Sequence, residues 1–125
     1  MRNLKVALVI SGAIHIAQGI VLIVAPERIS DLMEFGQLAD YVPYIFASLG
    51  ATFIAAAFWF ILAGTDPLRY INGVRFAILW SSLLLVTQLY SLTQSYVDFS
   101  QIWTGIALNT IFIVAFLFFY PYRKR

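Results

Sequence analysis

The sequence has no cysteine, a single histidine and only 11% charged residues. Without cysteine, no disulfide, thiolate metal site or thiol redox chemistry can form within the chain. One histidine can neither supply both axial ligands of a haem nor assemble a metal site alone. The shortage of charge excludes more. Ordinary soluble domains carry roughly 25% charged residues and 45–50% apolar ones. Here 62% are hydrophobic, and a chain of 125 residues is too small a globule to hide them. The composition predicts a chain solvated by lipid. Its net charge of +2 is no nucleic-acid signal, because the basic residues stand at the ends of apolar runs, where membrane topology accounts for them.

Four stretches lack Asp, Glu, Lys and Arg altogether: Val6–Pro26, Tyr41–Thr65, Phe76–Val97 and Phe99–Tyr122. Each is about 20 residues or more, enough for a helix rising 1.5 Å per residue to cross a hydrocarbon layer of ~30 Å. Strands are excluded, since an open sheet leaves backbone groups unpaired in lipid and the residues do not alternate as barrel strands do. The first run follows Arg2 and Lys5 as a signal peptide would. It is longer than the usual 7–15-residue apolar region and ends in Pro26-Glu27 without a small-x-small cleavage site, which predicts a retained helix.

The expected fold is all-α: one domain over residues 1–125, four transmembrane helices at about 5–25, 42–64, 73–95 and 100–120, bundled as two hairpins. The polar island Gly64–Arg75 divides the hairpins, with Asp66-Pro67 and Asn72-Gly73 read as turn dipeptides. Between the first two helices, Ile29, Leu32 and Met33 fall at i, i+3 and i+4. This predicts a short amphipathic surface helix at about 27–35, begun by Pro26 and ended near Gly36.

Seven of the eight basic residues (Arg2, Lys5, Arg69, Arg75, Arg123, Lys124 and Arg125) fall on one side of four crossings. The other side holds Arg28 with Glu27, Asp31, Glu34, Asp40 and Asp98. The positive-inside rule then places both termini in the cytoplasm, in a prokaryotic inner membrane.

Polar side chains inside the apolar runs are the candidate site. Ser11, His15 and Gln18 form a stripe at i, i+4 and i+7. Gln88 and Asn109 lie on later helices at depths where Gln88 could meet Gln18, and Asn109 could meet His15. Ser11 and Gln18 are spaced as Ser81 and Gln88 are, which would suit a parallel repeat of the two hairpins. Two readings stay open for the stripe. The five residues Ser11, His15, Gln18, Gln88 and Asn109 either hold the helices together, or form a polar pocket for a lipid- or quinone-like ligand. No catalytic motif, metal site or intramembrane carboxylate accompanies them. Ala47, Ala51 and Ala55 beside Gly50, and Gly12 with Gly19, make small-residue faces suited to close helix approach.

The pattern Gly12-x-x-His15-x-x-x-Gly19, running to Ala25-Pro26-Glu27 and followed by three more helices, resembles small four-helix bacterial membrane proteins of the DoxX-like and BphX-like groups. That resemblance implies an accessory membrane subunit, as DoxX is of a quinone-linked sulfur oxidoreductase. The sequence reading is therefore a non-catalytic subunit packing in a larger membrane complex, with no cofactor of its own and with membrane lipid and other membrane subunits or further copies as partners. The alternative is a ligand-binding or transport protein built on the His15 pocket.

Overall fold

The computed structural model describes residues 1–122; Arg123, Lys124 and Arg125 of the basic flank lie outside the described residues. The chain forms α1 (Arg2–Val24), α2 (Pro26–Leu32), α3 (Val42–Thr65), α4 (Ile71–Thr93) and α5 (Phe99–Phe118), with no strand among the described residues. The four long helices have 23, 24, 23 and 20 residues, and each is long and apolar enough to cross a membrane.

The helix ends show where sequence signals were read well and where they misled. Asn72-Gly73 is not a turn but lies inside α4. Gly73 is needed for a close approach: a Cβ there would stand 2.8 Å from the Ala63 Cβ and 3.3 Å from the Trp59 ring. The turn is made by Asp66–Tyr70 instead. The Asp66 carboxylate accepts the Arg69 N–H at 3.2 Å, and its carbonyl accepts the Tyr70 N–H at 2.9 Å.

The surface helix stops at Leu32, three residues short of the expected Phe35. Glu34 takes φ +57°, and the Phe35 and Glu34 N–H groups close back onto the Ser30 and Asp31 carbonyls at 3.0 and 3.3 Å, a Schellman end completed before Gly36 is reached. Ser95 ends α4 in the same way, with φ +57° and the Tyr96 N–H on the Ser91 carbonyl at 3.0 Å. The Tyr96 ring then packs edge-on against Tyr90, the apolar contact this motif favours. At the start of α5, Asp98 and Gln101 form a capping box. Gln101 also donates to the Glu34 carbonyl at 3.3 Å, tying the long connection to α5.

α1 packs along α3, α3 on α4, α4 on α5, and α5 back on α1. The α1–α3 seam follows a seven-residue spacing on α3 (Gly50, Ala57, Gly64) facing Gly19, Gly12 and Val9 in antiparallel order. Gly19 and Gly50 mark the closest approach, where a Cβ on either would stand 2.6 or 2.5 Å from the other's carbonyl oxygen. The alanine stripe is not part of this seam: Ala51 and Ala55 are exposed, and Ala47 is half-buried.

The same antiparallel order brings Lys5 beside Gly64 and Arg75 beside Tyr120, so the basic flanks share one end of the molecule. The apolar core (Leu4, Leu8, Phe60, Ala63, Val74 and Phe116) fills the half of the interior nearest that end. The polar layer sits above it, toward the acidic end.

Candidate functional site

His15 projects from the middle of α1 into this polar layer and is only 3% exposed. Its Nδ1 lies 2.7 Å from the Ser11 carbonyl one turn back, and its Nε2 lies 3.0 Å from the Trp80 indole nitrogen on α4. A carbonyl only accepts and an indole N–H only donates, so this pairing fixes the Nδ1–H tautomer. The imidazole donates to its own helix and accepts from α4. Phe53 and Phe60 from α3 close over the ring, at centroid distances of 5.3 and 5.1 Å. Both ring nitrogens are therefore engaged, and aromatic carbon covers the rest.

Above His15 is a cavity of about 90 Å³. Its polar lining comes from His15, Gln18, Gln88 and Asn109, and its apolar lining includes Ile14, Phe53, Leu84 and Phe112. Asn109 donates through Nδ2 to the Gln88 Oε1 at 3.1 Å, joining α5 to α4. Gly105 makes room for this amide, since a Cβ there would meet the Gln88 Nε2 at 2.5 Å. Amides donate and accept hydrogen bonds without changing charge, so this lining can hold water or a neutral polar group. It offers no base or nucleophile with a free lone pair. No group of three His, Cys, Asp or Glu side chains among the described residues could hold a metal ion.

The structure brings together four of the five expected residues, with different partners. Asn109 does not meet His15; it pairs with Gln88, and Trp80 takes the place expected for Asn109. Gln18 and Gln88 share the cavity lining as expected from their depth. Ser11 is not part of the lining. Its carbonyl serves His15, while its hydroxyl is fully buried and unpartnered. Ser81 on α4 repeats this condition. The two equally spaced Ser and Gln pairs thus occupy matching environments, a buried hydroxyl below and a cavity-lining amide above.

Trp80 was the residue sequence reasoning missed. A signal was present, because a tryptophan inside an apolar run carries an indole N–H that needs an acceptor; the structure places it near the middle of α4. The remaining polar candidates are local. The hydroxyls of Thr52, Ser91 and Thr110 bond carbonyls of their own helices at 2.7–2.8 Å, so they need no partner.

Fold and site together define an all-α protein with four helices long and apolar enough to cross a membrane, and a small polar layer between them. Comparison with family models, with curated proteins and with solved structures yields no match.

Proposed function

We propose that this chain is a non-catalytic integral membrane protein, a bundle of four spans that packs as an accessory subunit in a larger membrane assembly. The observation that carries this reading is the use of the one histidine, which lies mid-way along α1: His15 has both nitrogens bonded inside the chain. Held this way, the imidazole ties α1 to α4. Meanwhile large apolar side chains such as Phe58, Leu83, Val86, Ile111 and Phe118 stand exposed around the outside, as a lipid- or protein-covered surface requires. Exposed Tyr41, Tyr44, Tyr96 and Trp103 belt the acidic end, while Trp59 and Tyr122 belt the basic one. The accessory role is also what the DoxX-like resemblance implies, by analogy.

In this reading the membrane is the prokaryotic inner membrane, with both termini and the Asp66–Tyr70 turn in the cytoplasm and α2 outside. Leu32 of α2 is 80% exposed, an apolar side chain available to the membrane surface. Single cysteines at Asn3 and Asn72 should resist an impermeant thiol reagent in intact cells, and one at Gln37 should react. Labelling at Asn72 with protection at Gln37 would reverse the orientation.

One observation favours a second reading, a ligand-binding protein: the cavity between His15, Gln18, Gln88 and Asn109. On that reading a lipid- or quinone-like molecule presents its polar group to the three amides. Purification through a tag in mild detergent separates the two. The subunit reading expects other membrane chains in fixed stoichiometry; the rival expects a lone chain retaining a ligand that Gln88→Leu releases.

A further inference from the structure

At the basic end, a groove of about 510 Å³ runs between the start of α4 and the end of α5, lined by Leu68, Ile71, Arg75, Tyr120, Pro121 and Tyr122. It adjoins a second hollow of about 270 Å³ that shares Arg75, Tyr120 and Tyr122 and adds Ile78 and Leu117, further along both helices. The two together are amphipathic: a cation and phenols at the helix ends, and aliphatic walls leading into the spans.

Arg75 is held in place within this groove. Its Nε donates to the Tyr120 hydroxyl at 3.0 Å, and its Nη1 to the Asn72 side-chain oxygen at 3.4 Å. A guanidinium has five N–H donors, so three remain, spread over the Nη1–Nη2 fork that matches two oxygens of a phosphate. No carboxylate among the described residues is within ion-pair distance. Tyr120, accepting from Arg75, keeps its own O–H to donate. The neighbouring Arg69 is engaged differently, its guanidinium lying 5.3 Å from the Tyr70 ring centre.

We infer that this groove binds the phosphate of an anionic phospholipid, with Arg75 and Tyr120 on the headgroup and one acyl chain along Ile78 and Leu117. The aliphatic continuation favours a lipid over free phosphate. The positively flanked end is where the cytoplasmic leaflet presents anionic headgroups. This site is separate from the interior cavity and holds whether or not the chain is an accessory subunit.

The test is native mass spectrometry of the full chain in neutral detergent, titrated with phosphatidylglycerol, phosphatidylcholine or inorganic phosphate. Phosphatidylglycerol should bind as one tight equivalent and phosphatidylcholine at least about tenfold more weakly, because its choline cation cancels the net charge and is repelled by the Arg75 guanidinium. Arg75→Gln should lose about tenfold for phosphatidylglycerol and Arg75→Lys part of that, because lysine keeps the charge without the fork. Tyr120→Phe should weaken binding as well, while Arg69→Gln changes it by less than about twofold. Thermal unfolding of the lipid-free variants should match the parent, since the Arg75 side chain is exposed. Equal losses in Arg69→Gln and Arg75→Gln would overturn the site in favour of diffuse attraction, and equal binding of the two lipids would overturn the choice of an anionic headgroup. Displacement of the lipid by millimolar inorganic phosphate would overturn the lipid assignment.

Discussion

Gly50→Val should be the most disruptive single substitution in the chain. A Cβ at Gly50 stands 2.5 Å from the Gly19 carbonyl oxygen and 2.9 Å from Ile23 Cγ1, so α1 and α3 must separate to admit it. Backbone cannot rotate aside as a side chain can. Overpacking of this kind costs typically about 1–3 kcal/mol, and a rigid helix–helix crossing belongs at the upper end or beyond. Two controls make the comparison sharp. At Gly105 the clash is with the end of the flexible Gln88 side chain, so Gly105→Ala should cost little and regain roughly 0.5–1 kcal/mol of helix propensity. Ala51→Val, on the exposed face of α3, should stay within about 0.5 kcal/mol of the parent. Thermal unfolding in one detergent measures all three, and equal stability of Gly50→Val and Ala51→Val would contradict the seam described above.

The second large effect belongs to His15. His15→Leu removes the acceptor that the Trp80 indole N–H has in the interior. The Ser11 carbonyl loses only its second bond, so the stranded donor accounts for most of the cost. Intramembrane hydrogen bonds average about 0.6 kcal/mol and reach about 1.7, which with the stranded indole gives an expected loss of about 1–2 kcal/mol. His15→Gln should restore most of it, since an amide oxygen can accept from Trp80. Trp80→Phe should cost less than His15→Leu, because the Nδ1 bond to Ser11 survives. If stability is unchanged in His15→Leu while the activity of a host assembly is lost in both His15 variants, the imidazole is functional and the structural account fails.

These two sites show what the sequence carried and what it did not. The long apolar runs with charged flanks were enough to place four helices, because length and the absence of charge are properties of each segment alone. Depth was also legible: Gln18 and Gln88 do share one level, and His15 does lie mid-way along α1. Rotation about each helix axis was not. It depends on which faces meet, and that is set by a few glycines whose partners lie on another helix, Gly12 and Gly19 against Ala57 and Gly50. The alanine stripe and the glycines read alike in sequence, yet Ala51 and Ala55 face outward while Gly12 and Gly19 form the seam. For the same reason Asn109 was matched with His15 by depth, when rotation of α4 brings Trp80 there and leaves Asn109 to Gln88. Asn72-Gly73 failed for a related reason, because a glycine required for close packing reads in sequence like a glycine required for a turn.

The central claim, that this chain contributes packing rather than chemistry, is tested most directly by the mass of the particle isolated through its tag in mild detergent. The account predicts a complex well above the 14.1 kDa of the chain, with other membrane chains in fixed ratio. It further predicts that Ala51→Trp, a bulky side chain on the exposed small-residue face of α3, lowers that mass without altering the thermal stability of the isolated chain. Recovery of the parent as a lone chain carrying one quinone or lipid in the cavity beside Gln88 would contradict it.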